Sequence, residues 1–197
     1  AHLCAIPTTA GSGAEVTENA VIYLNDIKYS IEDKLVKPDT FFIIPEFVIG
    51  SSKKIKASSG FDAIAQALES VISTRSNEKS IEYSKKSLAL SLNNYEEYIN
   101  KPNIENTSLM CMAANLSGKA ISISKTTAPH AVSYPFTSIY NVSHGHAVSL
   151  TLNKFLKYNY QNLKSASCKF DLEERFKIFV MNLPSLTFCI LTLILLY

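Results

Sequence analysis

From Ser58 onward glycine and proline become sparse, and apolar residues recur at the three-to-four-residue spacing of a helix. The series runs Ile64, Leu68, Val71 and Ile72, then Leu88, Leu90 and Leu92 with Tyr95. Such a stripe commits this part of the chain to packed helices, because each apolar face must be buried against another element. Ser58-Ser59-Gly60 precedes a helix expected over 61–73, and Asn77-Glu78 opens a second through Tyr98 that 100–103 stops. Two more helices are expected over 107–123 and 145–158. Residues 1–50 have a different texture. Short β-rich pieces at 21–24, 34–36 and 41–44 are separated by the turn formers Gly11, Gly13, Asn25, Asp26, Pro38, Asp39 and Pro45. The expected organisation is a strand-rich front, 1–57, followed by an all-helical unit, 58–197.

Charge and composition exclude several functions. Lys plus Arg number 19 against 17 Asp plus Glu, a net +2 with no run of five or more cations, so there is no electrostatic footprint for nucleic acid. With 47% hydrophobic and 18% charged residues the chain lies far from disordered compositions. Cys4, Cys111, Cys168 and Cys189 stand far apart without a CxxC pair, which argues against a disulfide framework or a zinc ribbon and for a reducing, cytoplasmic setting. The chain opens on Ala1 rather than Met, without the pattern of a secretory leader, and reads as cut at its front. Its last twelve residues, LTFCILTLILLY, are apolar but short for a membrane span, so a core helix is favoured over an anchor.

Three features could carry chemistry. Asp62 and Gln66 are spaced i, i+4 and project from one helix face, where two oxygen ligands could be presented together; alternatively Asp62 merely favours the helix N-terminus. Three of the four histidines, His130, His144 and His146, fall within seventeen residues. Their surroundings, largely uncharged and broken by Pro129 and Pro135, read as a half-buried loop between helices, a setting in which neutral imidazole is a good ligand for a borderline divalent metal. The segment IPTTAGSGAEVT, 6–17, offers small residues and hydroxyls that would let backbone approach a phosphate or a flat ring; a turn capping the preceding strand is an equal reading.

Four stretches, AIPTTAGSGAEVT at 5–17, PDTFFIIPE at 38–46, SSGFDAIAQALES at 58–70 and PHAVSYPFTSIYNVSHGHAVSL at 129–150, closely resemble the iron-containing (group III) alcohol dehydrogenases. The resemblance covers about three quarters of the chain and fades after about 158. It implies an α/β remnant plus an all-α unit: the tail of a dinucleotide-binding domain, then a dehydroquinate synthase-like helical domain with a metal in the cleft between them. The implied ligands are Asp62, Gln66, His130 and His144, with Fe2+ the first metal and Zn2+ the second; the family usually carries His where this chain has Gln66. Thr8, Thr9, Ser12, Asn19 and Lys28 match positions that line NAD(P)H. Tyr134 stands where many relatives have a second His, and Tyr134 and His146 are the candidates for moving the proton.

Within the family the motifs look most like the phosphonoacetaldehyde reductase branch, for which Lys125 is the candidate cation. The family's pyrophosphate-cradling GGGS segment has no counterpart here, so this chain alone is expected to hold NAD(P)H poorly. The expected partners are a small aldehyde or alcohol and, at most, a second copy in a homodimer.

Overall fold

The computed structural model describes residues 2–25 and 27–180. Its organising element is α2 (Lys53–Ile72), which has no solvent face over its last three turns: every residue from Gly60 to Ser73 is buried. A helix whose circumference is mostly small or apolar has to be surrounded, and its few polar groups matched. Around it stand α3 (Glu78–Asn100), α4 (Ile104–Ser124) and α6 (His144–Gln161), with α5 (Ala128–Ser138) packed on α6 and α7 (Leu172–Val180) closing one end. The core between them is built on Phe61, Ile64, Leu68, Leu88, Tyr95 and Met110.

Local chemistry sets the helix starts. Ser52 Oγ accepts from Ile55 N–H at 3.3 Å to begin α2. Asn77 with Ser80 and Asn103 with Asn106 form reciprocal capping boxes at the starts of α3 and α4. Along α3 the buried serines Ser80, Ser84, Ser87 and Ser91 keep one face small, and Ser87 Oγ donates across to the Ala113 carbonyl at 2.8 Å.

The front is slighter. β1 (Cys4–Ala5) pairs in parallel with β4 (Thr40–Phe41), while β2 (Asn19–Leu24) and β3 (Ile27–Glu32) form an antiparallel hairpin in register from Asn19 opposite Glu32 to Leu24 opposite Ile27. One helical turn, α1 (Glu46–Ile49), leads into the helical unit. Between β1 and β2 the small-residue segment lies directly on α4. Gly13 has φ 61°, and a Cβ there would meet the Ala114 carbonyl at 2.5 Å, while one on Gly118 would meet the Gly13 carbonyl at 2.5 Å. Two glycines facing each other let backbone touch backbone, and the buried Asn115 amide donating to Glu15 at 2.8 Å fixes the register.

Several expectations need correction. The first helix begins at Lys53 rather than after Gly60, so it runs through the expected boundary at 57/58. Gly60 is no helix breaker; it makes room inside the helix for Tyr95 and Met110, whose side chains a Cβ would meet at 3.0–3.1 Å. Residues 34–36 form a single 3-10 turn capped by Asp33 instead of a strand, and β4, Thr40–Phe41, overlaps the piece expected at 41–44 only at Phe41. The stretch at 127–147, expected as a loop, contains α5, with Pro129 in the first turn, where a missing N–H costs nothing, and Pro135 in the last. Among the described residues no helix is long and apolar enough to cross a membrane; the apolar run at 186–197 lies outside them.

Candidate metal centre

The buried stretch of α2 carries two carboxylates, Asp62 and Glu69, at 5% and 0% exposure. A buried carboxylate costs several kcal/mol unless it is matched by a partner and hydrogen bonds, so the helices around α2 have to supply both. With Gln66 they form one polar stripe at spacings of four and three, a single face of the helix. His130, on the first turn of α5, lies between the carboxylates: Nε2 is 3.1 Å from Asp62 Oδ1 and Nδ1 is 2.5 Å from Glu69 Oε1. Burial would push this imidazole down, but the flanking carboxylates of Glu69 and Asp62 override it and hold it up at about 10.

His144 arrives from the opposite side, and Gly145 explains how. A Cβ at Gly145 would lie 1.9 Å from the Ser58 carbonyl, so only glycine lets the first turn of α6 rest on α2. That contact brings His144 Nε2 to 3.6 Å from Asp62 Oδ1 and its ring to a centroid distance of 5.3 Å from His130. One potential ligand atom from each of Asp62, His130 and His144 then falls within 4.8 Å of the others. His130 is buried whereas the His144 side chain is 40% exposed, so the trio has a closed side and an open one. Two imidazoles and a carboxylate suit a borderline divalent cation such as Fe2+ or Zn2+.

Gln66 joins this group by hydrogen bonds. Its Nε2 donates to Asp62 Oδ2 at 3.1 Å, and its Oε1 accepts from Ser117 Oγ at 3.1 Å. The amide thus steadies Asp62 so that Oδ1 faces the histidines, and its own oxygen is turned towards α4. Ser117 Oγ also lies 2.9 Å from the Ala114 carbonyl. With its single proton given to that carbonyl, the hydroxyl can instead accept from the Gln66 NH2, which frees the amide oxygen to turn towards the histidines.

The open side faces a cleft of about 750 Å³. One wall holds Thr8, Thr9, Ser12 and Asn19 from the front; the other holds Asp62, Gln66, His130, Tyr134 and His144. Lys125 also lines it, in an unusual backbone state: it ends α4 at φ 62°, ψ 168°, a region essentially reserved for glycine. Its Nζ lies 2.6 Å from Glu32 Oε1 on β3, and the ammonium holds the Glu32 carboxyl below its ordinary range. Tyr134 stacks on His144 at a centroid distance of 6.4 Å. His146 does not line the cleft. Two residues beyond His144 on the same helix, it projects about 200° further round, and burial lowers its pKa. Lys28 lies on β3, with its side chain outside the described residues.

Sequence reasoning passed over Glu69, Ser117 and Thr127. The signal for Glu69 was available: it lies seven residues from Asp62 and three from Gln66 in a helix otherwise without charge over 60–73.

The sequence matches the Fe-containing alcohol dehydrogenase family, C-terminal, over residues 56–183, and iron-containing alcohol dehydrogenase over residues 1–45. The chain belongs to the iron-containing alcohol dehydrogenase family. It is 33% identical over 164 residues to a phosphonoacetaldehyde reductase of Streptomyces viridochromogenes, a match covering 81% of this chain and 41% of that protein. It is 30% identical over 176 residues to a 4-hydroxybutyrate dehydrogenase of Clostridium kluyveri, covering 85% and 47%. Its fold matches the crystal structure of a sulfoacetaldehyde reductase from Bifidobacterium kashiwanohense in complex with NAD+ at a TM-score of 0.84 and 28% identity, covering 98% of this chain and 51% of that one. The chain therefore spans about half the length of these relatives. The fold is the family's: a small strand-rich front followed by a helical domain, with the Asp62 cluster facing the cleft between them.

Proposed function

We propose that this chain carries the metal-holding half of an NAD(P)H-linked aldehyde reductase whose substrate is a small aldehyde with an anionic head, phosphonoacetaldehyde being the leading candidate and 2-hydroxyethylphosphonate its product. The observation that carries the reading is the convergence of Asp62, His130 and His144 within 4.8 Å at a cleft whose other wall is the Thr8–Ser12 loop. Asp62, His130 and His144 would hold the metal, with Gln66 as fourth ligand once its amide oxygen is turned inward, iron first and zinc second. Thr8, Thr9, Ser12, Asn19 and Lys28 would line the cofactor. The metal supplies Lewis acidity towards the substrate oxygen and the reduced nicotinamide supplies the hydride.

The protein's own groups do the rest. The buried face of α2 excludes water from behind the centre, and the half-exposed His144 leaves room for substrate on the cleft side. Tyr134 would hand a proton to the oxygen of the nascent alcohol, a role supported by its contact with His144 at the cleft wall, which His146 does not line. The aldehyde would gain the hydride at carbon and the Tyr134 proton at oxygen, the reduced nicotinamide supplying the two electrons.

Support for an anionic head comes from two independent directions. The phosphonoacetaldehyde and sulfoacetaldehyde reductases named above act on acetaldehydes that differ in the anion they carry. In this chain Lys125 reaches the same cleft from a strained backbone position, and strain of this kind persists where the surroundings over-determine it and clusters at ligand sites. The centre is tested by titrating the chain with ferrous iron under anaerobic conditions and with zinc in parallel; stoichiometric binding that disappears in His130→Ala is expected, and its absence from a folded sample overturns the reading. The anion is tested by kinetics: Lys125→Ala is expected to raise KM for a phosphonate aldehyde on the order of tenfold, a charge-assisted contact of about 1.5 kcal/mol, and to leave a neutral aldehyde of similar size nearly unchanged. Equal effects on both remove the phosphonate assignment.

A further inference from the structure

Glu69 is fully buried on α2 and does not line the cleft, yet three hydrogen-bond donors converge on it. His130 Nδ1 lies 2.5 Å from Oε1. The Thr127 backbone N–H donates to Oε2 at 2.5 Å and the Thr127 hydroxyl to the same oxygen at 2.8 Å. Thr127 is the N-cap residue of α5, and its own side chain makes no capping bond to that helix. In a capping box, an acidic side chain three residues into a helix reaches back to the N-cap backbone N–H. Here the acid comes from a different helix.

We infer that Glu69 is the positioning residue of the centre: one carboxylate fastens the start of α5 to α2 and, by accepting from His130 Nδ1, turns the imidazole so that Nε2 faces Asp62 and His144. The inference rests on reading Asp62, His130 and His144 as a metal site. Both fixtures act on the same ligand. Thr127 precedes His130 by three residues, so the oxygen that anchors the helix sets where the ring begins, and the other oxygen sets how it is rotated. A carboxylate is required because three donors point at it. An amide of the same shape has one acceptor oxygen, and its NH2 would have to face a donor. With that oxygen given to the Thr127 N–H, which has nowhere else to turn, the NH2 meets Nδ1 and drives the ring proton to Nε2, the atom the centre needs as a lone pair.

The test compares Glu69→Gln with Thr127→Val, which removes the hydroxyl but keeps the backbone N–H and the His130 contact. In the unsubstituted metal-free chain, nitrogen-edited proton NMR is expected to show a strongly downfield N–H of His130, produced by the contact with Glu69. Glu69→Gln should abolish it and weaken zinc, measured against a competing chelator, about 10- to 100-fold. Thr127→Val should keep both. A Glu69→Gln variant that retains the downfield proton and the original zinc affinity overturns the inference, as does the absence of that proton from the unsubstituted chain. If Glu69→Gln does not fold, Glu69→Asp, one methylene too short to reach both partners, takes its place with the same expected direction. A folded chain that shows the downfield proton but binds no zinc defeats the metal reading and not the Glu69–His130 contact, so the two failures are distinguishable.

Discussion

The two sides of the cleft are built on opposite principles. On the helical side, α2 is buried all round from Gly60 onward, and Asp62, Gln66 and Glu69 are satisfied by groups that α4, α5 and α6 deliver to them. On the other side, β1 and β4 pair over two residues each, and apolar side chains stand in the open, Leu35 at 90% and Phe42 at 60% exposure. Two-stranded pieces of this size are marginal by themselves; the front holds its place at the cleft through the Gly13–Gly118 contact and the Glu15–Asn115 bond. Burial therefore accounts for the precision of the helical side, since a buried carboxylate or amide there is costly unless it is matched. The loop side presents hydroxyls and backbone to a ligand without that constraint.

If packing on α2 sets the centre, the largest effect belongs to Gly145→Ala. The new methyl would lie 1.9 Å from the Ser58 carbonyl, and backbone cannot swing aside as a flexible side chain can. We expect a loss of at least about 1–3 kcal/mol in thermal unfolding, as for other overpacked sites, together with loss of metal binding because His144 is carried off with α6. Gly50→Ala is the matched control on the front side. Nothing lies within 4 Å of a Cβ there and its φ of −74° suits any residue, so it should be neutral or more stable by about 0.4–1 kcal/mol. A Gly145→Ala chain with unchanged melting and metal affinity would show that the α6–α2 contact does not place His144.

Next in size is Gln66→His, which puts an imidazole beside Asp62 in place of the amide. Imidazole suits iron and zinc better than an amide oxygen does, so zinc affinity should rise about tenfold, or about 1.4 kcal/mol, as measured by chelator competition. The same substitution removes the donor to Asp62 Oδ2 and the acceptor for Ser117. Unchanged or weaker binding would mean that Gln66 serves the centre by steadying Asp62 and not by ligation.

What the sequence revealed divides along the same line. The long helices α2, α3, α4 and α6, their order, and the pairs Asp62–Gln66 and His130–His144 were legible because helical periodicity and rare residue types are local signals; that the two pairs meet was implied only by the family resemblance. Gly60 misled because a glycine that precedes a helix and one inside it that makes room for Tyr95 look alike until the neighbouring helix is placed. His146 looked able to move a proton at the centre because proximity along the chain ignores the turn of the helix between it and His144. Glu69 needed the three-dimensional arrangement: its partners stand 58 and 61 residues away in the chain. The 3-10 turn at 34–36 was read as strand since Leu35 and Val36 favour extended backbone, whereas Asp33, accepting from Leu35 N–H at 2.8 Å, decides otherwise.

The smallest expected effect lies where the two sides meet. Lys125 ends α4 and Glu32 ends β3, so their ion pair ties the hairpin to the helical unit across the mouth of the cleft. The side chains are 24% and 56% exposed, and pairs this open to water add little to stability; Glu32→Gln should leave thermal stability almost unchanged. Its effect on function has the opposite sign to that of Lys125→Ala. Glu32 competes with any substrate anion for the same ammonium, so removing its charge should lower KM for a phosphonate aldehyde about 2- to 5-fold, the equivalent of an exposed pair, and leave a neutral aldehyde unaffected. The advantage should shrink as salt screens the ammonium. Acid should mimic it only well below neutrality. Lys125 holds the Glu32 carboxyl down, so the pair is intact above the ordinary carboxylate range and opens as the pH falls through that lowered value. A Glu32→Gln enzyme whose KM shifts equally for charged and neutral aldehydes would show that the pair merely props the cleft open, and that the two sides meet there through structure and not through substrate charge.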